Sequence, residues 1–123
     1  MSAPMVGFDL VEPSQIAKML EKRVREDLFL PGEVAYSESQ HDPAQSFASR
    51  YAAKEAIVKA LGVDGWDPLE IEIVGGGEST SVRLRGEILE RAEELGVDVT
   101  ISMTHLPSIA GAVALAIPKH QLV

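Results

Sequence analysis

The sequence has no cysteine, one tryptophan, and aromatic residues at only 5% of its 123 positions. Without cysteine there is no disulfide framework, no thiolate zinc or iron–sulfur site, and no thiol nucleophile. Cations are scarce too: 11 Lys and Arg stand against 19 Asp and Glu, a formal net charge of −8. That balance excludes general nucleic-acid binding, which needs Lys and Arg clustered against phosphates. No apolar run approaches the ~20 residues that span a bilayer, so no membrane partner is expected. The opening segment, Met1 to Glu12, has no basic stretch ahead of an apolar one; no signal peptide is expected, and the chain reads as cytoplasmic. What is present is ordinary for a globular protein: 46% hydrophobic and 24% charged residues. Residues 1–123 read as a single domain, long enough to bury a core without covalent staples.

The few cations are unevenly placed. Seven of the 11 fall before residue 61. Lys18, Lys22, Arg23 and Arg25 form one group, and Arg50, Lys54 and Lys59 a second. Such groups read either as solvated helix faces or as two anion sites, one for a partner and one for a phosphate-bearing ligand.

Hydrophobic periodicity gives the elements. Val6, Phe8 and Leu10 alternate with Gly7 and Asp9, predicting a strand. Ser14 is placed to cap a helix over about Gln15 to Asp27, with Ile16, Met19, Leu20 and Val24 as its apolar stripe. Leu30 to Glu33 reads as a turn, followed by an ambiguous segment to His41. Asp42-Pro43 starts a long helix that runs to Leu61, where Gly62 closes it. Further strands are expected around Leu69–Ile73, Val82–Leu84, Val97–Met103 and Ala110–Ile117, the last wholly apolar and therefore central. A short helix over 87–95 lies between the third and fourth. Gly75-Gly76-Gly77 reads as a mobile hairpin tip, since no helix with a Lys-Ser/Thr follows it as in a Walker motif. The class is α+β: a mostly antiparallel sheet packed with one long and two shorter helices.

Three polar features sit in apolar surroundings. Asp9, between Phe8 and Leu10, would be costly to bury without a cation or backbone donors. It reads as a metal ligand or as a strand-end carboxylate facing water. In the long helix, Ala48, Ala52, Ala53, Ala56 and Ala60 form a small-residue face, with Glu55 and Lys59 as i,i+4 neighbours at its edge. The third is Ser102-Met103-Thr104-His105, at a strand end. No Gly-x-Ser-x-Gly accompanies His105, so a hydrolase triad is not indicated. His41 and His120 show no metal-ligand spacing with each other.

The order of these features along the chain is specific. Gly7-Phe8-Asp9-Leu10-Val11-Glu12, Phe29-Leu30-Pro31-Gly32-Glu33, the run Arg50-Tyr51-Ala52-Ala53-Lys54-Glu55-Ala56-Ile57-Val58-Lys59-Ala60-Leu61-Gly62, and Ile101-Ser102-Met103-Thr104-His105 closely resemble the signature segments of holo-(acyl-carrier-protein) synthases. These are the small bacterial phosphopantetheinyl transferases of fatty-acid synthesis. The resemblance implies the phosphopantetheinyl transferase fold and transfer of 4′-phosphopantetheine from coenzyme A to a serine of apo-acyl carrier protein, releasing adenosine 3′,5′-bisphosphate. It implies magnesium on the coenzyme A pyrophosphate, held by Asp9 and Glu55, with Lys59 on the pyrophosphate. The candidate base is Glu55 or a metal-bound water beside it. By the same match Arg50, Lys54, Gly62, Ser102, Thr104 and His105 line the coenzyme A pocket. Lys18, Lys22 and Arg25 are the docking cations for the carrier protein, whether free or a domain of a large synthase. Family members are typically homotrimers with active sites between subunits. The chain departs from the pattern at Gln15, where an Arg is usual, and at Glu78-Ser79-Thr80, where Gly-Lys-Pro is common. The alternative reading is a non-catalytic coenzyme A or nucleotide-binding subunit.

Overall fold

A computed structural model describes residues 3–77 and 79–119; His120 and Glu78 lie outside the described residues. Its elements, in chain order, are β1 (Met5–Val11), α1 (Pro13–Lys22), α2 (Pro31–Glu38), α3 (Pro43–Leu61), β2 (Ile71–Gly76), β3 (Ser79–Leu84), α4 (Gly86–Leu95), β4 (Val97–Leu106) and β5 (Ile109–Pro118). All strand pairing is antiparallel. One sheet has the order β1-β5-β4, and β2 and β3 form a separate hairpin.

α3 is the centre of the fold. Its ends are set locally: the Asp42 side chain accepts from the backbone N–H of Gln45 at 3.2 Å, Pro43 takes the first turn, and Gly62 adopts φ 65°. Ala52, Ala53 and Ala56 are completely buried. They belong to a face that meets an equally small-featured sheet, because Ala110, Ala112, Ala114 and Ala116 all point inward from the central strand β5. Small residues on both surfaces let helix and sheet backbones approach closely. The approach is closest at Gly7, where an added Cβ would overlap the carbonyl oxygen of Ala56. Backbone cannot yield as a side-chain tip can. Gly7→Ala is therefore expected to lower stability by about 2–3 kcal/mol, an overpacking cost, read as a shift in the denaturant midpoint.

The structure differs from the sequence expectation in several places. α1 begins at Pro13, with Glu12 rather than Ser14 at the cap, and ends at Lys22, because Arg23 turns extended at φ −131°. Arg25 to Asp27 form a separate short turn, and Val24 is left exposed. Leu30 to Glu33 is not a free turn but the start of α2, a third short helix. Pro31 suits its first turn, and Glu33 reaches back to the backbone N–H of Leu30 at 2.9 Å. Leu69 lies in a short turn before β2, where its N–H bonds to Asp67. Gly75 and Gly76 belong to β2 rather than to the hairpin tip: Arg50 donates to the carbonyl of Gly75, and the Tyr36 ring lies where a Cβ on Gly76 would be.

β1 carries the most consequential difference. Its alternation is correct, but its faces are reversed. Gly7, Asp9 and Val11 face α3, while Val6, Phe8 and Leu10 are 64%, 58% and 55% exposed. Val113 and Leu115 of β5 continue this outer apolar face, in register with Phe8 and Val6.

Candidate active site

Two polar clusters are built around α3. The first joins it to β1. Because Asp9 faces inward, its Oδ1 accepts from Lys59 Nζ at 2.9 Å, and Lys59 also donates to the carbonyl of Phe8 at 3.1 Å. The Asp9 side chain is 13% exposed and Lys59 about half. The bond to Asp9 holds the Lys59 ammonium above its ordinary pKa. Glu55 stands one helical turn before Lys59 and adds to that field. Tyr51, one turn earlier still, packs against Trp66 with ring centroids 6.2 Å apart. Its phenol is pushed up to about 12, first by burial and then by Glu55, so it is a hydrogen-bond donor at neutral pH.

The second cluster lines a cavity of about 480 Å³. Tyr36, Gln40 and His41 come from α2 and the loop after it, Gln45, Ser49 and Arg50 from the first half of α3, Gly77 from the hairpin, and Met103 and His105 from β4. Arg50 is 2% exposed. Its guanidinium stacks over Tyr36 at 4.3 Å, and its Nε is buried without a hydrogen-bond partner. Burial pulls its pKa below arginine's usual value, with Glu33 and Tyr36 opposing. His41 lies in the loop between α2 and α3. The fold brings it into one cavity with His105, although 64 positions separate them. No sequence spacing could have shown this.

The two clusters lie on opposite flanks of α3. At 3.6 residues per turn, Lys59 is about 180° around the helix from Arg50, and Glu55 about 140°. The strands agree: Asp9 is on β1 and His105 on β4, the two edges of the β1-β5-β4 sheet.

Other expected pocket residues sit elsewhere. Lys54 is completely buried, and its three donors are used within the fold: on Glu33 Oε1 at 2.8 Å, on the Leu28 carbonyl at 2.8 Å and on the Pro68 carbonyl at 2.9 Å. It cannot reach a ligand. Burial lowers its pKa while Glu33 pushes back. Gly62 caps the far end of α3, about 18 Å along the helix from Arg50, and is not part of the cavity wall. Ser102 and Thr104 are exposed on the outer sheet face, because strand alternation turns them away from Met103. Lys18 and Lys22 are exposed along α1. Arg25 is outside it, paired with Glu38 at 3.2 Å and placed 5.6 Å over the Phe47 ring, yet still half exposed. Among the described residues no group of three or more His, Cys, Asp or Glu could hold a metal, and no helix is long and apolar enough to cross a membrane.

Comparison with known proteins decides the family. Residues 5–97 match the family model described as the 4′-phosphopantetheinyl transferase superfamily. The chain belongs to that superfamily. A relative from Moorella thermoacetica, named as a holo-(acyl-carrier-protein) synthase, is 38% identical over 116 residues, covering 89% of this chain and 90% of its own. A second of that name, from Streptomyces coelicolor, is 35% identical and covers 94% and 98%. Among solved structures of the superfamily, a Chronobacterium ammoniagenes ACPS–CoA complex superposes with a TM-score of 0.83. It is 25% identical and covers 96% of this chain and 99% of that one. The superfamily fold is thus present over nearly the whole chain.

Proposed function

We propose that the chain is a holo-(acyl-carrier-protein) synthase, acting as one catalytic domain. It transfers 4′-phosphopantetheine from coenzyme A to a serine of apo-acyl carrier protein and releases adenosine 3′,5′-bisphosphate, the step that readies the carrier for fatty-acid synthesis. The observation that carries the reading is Asp9, turned inward on β1 and bonded to Lys59, one helical turn from Glu55. In the reaction the serine oxygen forms a bond to the phosphorus next to pantetheine. The bond from that phosphorus to the oxygen bridging to the nucleotide breaks, and the bisphosphate leaves with the electron pair. Lys59 neutralises charge on the pyrophosphate and on the departing oxygen. Glu55 takes the serine proton, directly or through a water.

Asp9 and Glu55 are hard oxygen donors on facing elements, and two carboxylates beside substrate phosphates suit magnesium, which keeps part of its water shell. When bound it would supply Lewis-acid stabilisation of the pyrophosphate. The cavity with Arg50, His41 and His105 suits the phosphorylated nucleotide end of coenzyme A. Mass spectrometry of apo-carrier protein incubated with enzyme, coenzyme A and magnesium tests the function. Added phosphopantetheine is expected; coenzyme A binding without it would favour a non-catalytic subunit.

The opposite placement of the two clusters favours an active site shared between copies. Within one chain α3 stands between Asp9 and His105, so one coenzyme A would draw its metal half from one subunit and its nucleotide half from another. The outer apolar face of Val6, Phe8, Leu10, Val113 and Leu115 supports such an assembly, a homotrimer in which Ser102 and Thr104 lie at the interface. Mixing Asp9→Ala with His105→Ala chains at equal ratio would leave about one site in four with both halves intact, if subunits exchange at random. Recovery of about a quarter of wild-type activity from two inactive parents is expected, and no recovery would oppose shared sites.

Lys18, Lys22 and Arg25 form the docking face for the acidic carrier protein, free or as a domain of a larger synthase, in the cytoplasm. Because exposed pairing is screened over about 8–10 Å, reversing Lys22 to Glu should raise KM for the carrier several-fold, and added salt should raise it in the wild type. Salt-independent kinetics would count against electrostatic docking.

A further inference from the structure

The mechanism above leaves a buried ion pair unused. Glu33 is 1% exposed and Lys54 not at all. Beyond the three bonds of Lys54, Glu33 Oε1 accepts from the N–H of Leu30 and Oε2 from the N–H of Ile73 at 3.1 Å. One carboxylate and one ammonium therefore tie the start of α2 to α3, to β2 and to the loops before α2 and β2. One turn along α2, the Tyr36 ring lies against Gly76 and under the Arg50 guanidinium. Thus α2 is fixed at Glu33 and again at Tyr36, and Tyr36, Gln40 and His41 form one wall of the cavity.

We propose that Glu33 and Lys54 are positioning residues for the nucleotide half of the site, acting through α2. With Tyr36 seated on Gly76, they hold the cavity wall at the spacing its ligand needs. Neither side chain touches the ligand, and neither serves the Asp9–Glu55 half. The inference rests on the cavity being the coenzyme A nucleotide site.

It predicts one kinetic signature from two distant substitutions. Glu33→Gln with Lys54→Met removes both charges together, so neither is left buried alone. Gly76→Ala puts a methyl group where the Tyr36 ring lies, so the ring must shift while Glu33 and Lys54 themselves are unchanged. In folded protein of either variant, KM for coenzyme A should rise about tenfold, since a misplaced wall weakens binding without altering the reacting groups. The affinity for adenosine 3′,5′-bisphosphate, measured by calorimetry, should fall by the same factor. kcat and KM for the carrier protein should stay within about twofold of wild type. A purely structural role would reduce the amount of active enzyme and leave KM for coenzyme A unchanged, and that result would overturn the proposal. So would a fall in kcat alone, or a KM rise in only one of two folded variants. If the double variant does not fold, Glu33→Asp, which keeps the charge but shortens the reach to Leu30, Ile73 and Lys54, decides by the same KM and affinity readouts. Wild-type enzyme that neither modifies carrier protein nor binds the bisphosphate would instead refute the underlying function.

Discussion

Asp9→Ala and Glu55→Ala should each reduce transfer of phosphopantetheine by about 10³-fold or more, with secondary structure and melting cooperativity retained. Neither carboxylate belongs to the core: Glu55 is partly exposed, and Asp9 sits at the rim of the β1–α3 contact. Removing Asp9 frees Lys59, whose ammonium is about half exposed and can return to water at little cost. Stability should therefore change by less than about 1 kcal/mol, while the reaction loses its main source of charge stabilisation. A quenched-flow or gel-shift assay of carrier modification gives the first quantity, and thermal melting the second. Activity within tenfold of wild type in both variants would remove the metal-site assignment. Direct titration with magnesium or manganese should show the same split, with cation binding lost in both variants.

Lys54→Ala should do the reverse. It stands next to Glu55 in sequence, but its consequence is structural. The substitution removes three hydrogen bonds and leaves Glu33 buried without its counter-charge. Breaking one side of a buried pair costs about 3–5 kcal/mol, more than the pair contributes relative to an apolar replacement, because the remaining ion is uncompensated. For a chain of this size the melting temperature should fall by roughly 10–20 °C. Glu33→Gln with Lys54→Met should be less damaging than Lys54→Ala alone, since no lone charge stays inside. A Lys54→Ala protein as stable as wild type would show that Lys54 is not the internal anchor described above.

Much of this architecture could be read from sequence where a local rule sufficed. Asp42, Pro43 and Gly62 mark the ends of α3 by capping chemistry that needs no knowledge of the rest of the chain. The apolar run from Ala110 to Ile117 marks the central strand, between β1 and β4, although within one chain only its alanine face is buried. α2 was not legible, since Pro31-Gly32 reads as a turn until Glu33 is seen capping the helix from inside. Lys54 was not legible either. The groups that hold it, from Leu28, Glu33 and Pro68, lie 14 to 26 residues away in sequence. Ser102 and Thr104 were assigned to the pocket by family resemblance, and strand parity places them on the other face. Of the carried-over residues, Asp9, Glu55 and Lys59 come together around one edge of α3, and Arg50 and His105 around another. That separation is a property of three-dimensional packing alone.

The reversed faces of β1 have a consequence for folding. A slip of β1 by one residue would turn Phe8 and Leu10 inward and Asp9 out to water, which is the arrangement hydrophobic burial alone would choose. Two things oppose the slip: only Gly7 fits beneath the carbonyl of Ala56, and Asp9 bonds to Lys59 only when it faces inward. The strand is thus locally frustrated, with register held by a clearance and a charge against the pull of its own apolar side chains. Slipped chains, rather than unfolded ones, are the expected misfolded species when Gly7 is replaced.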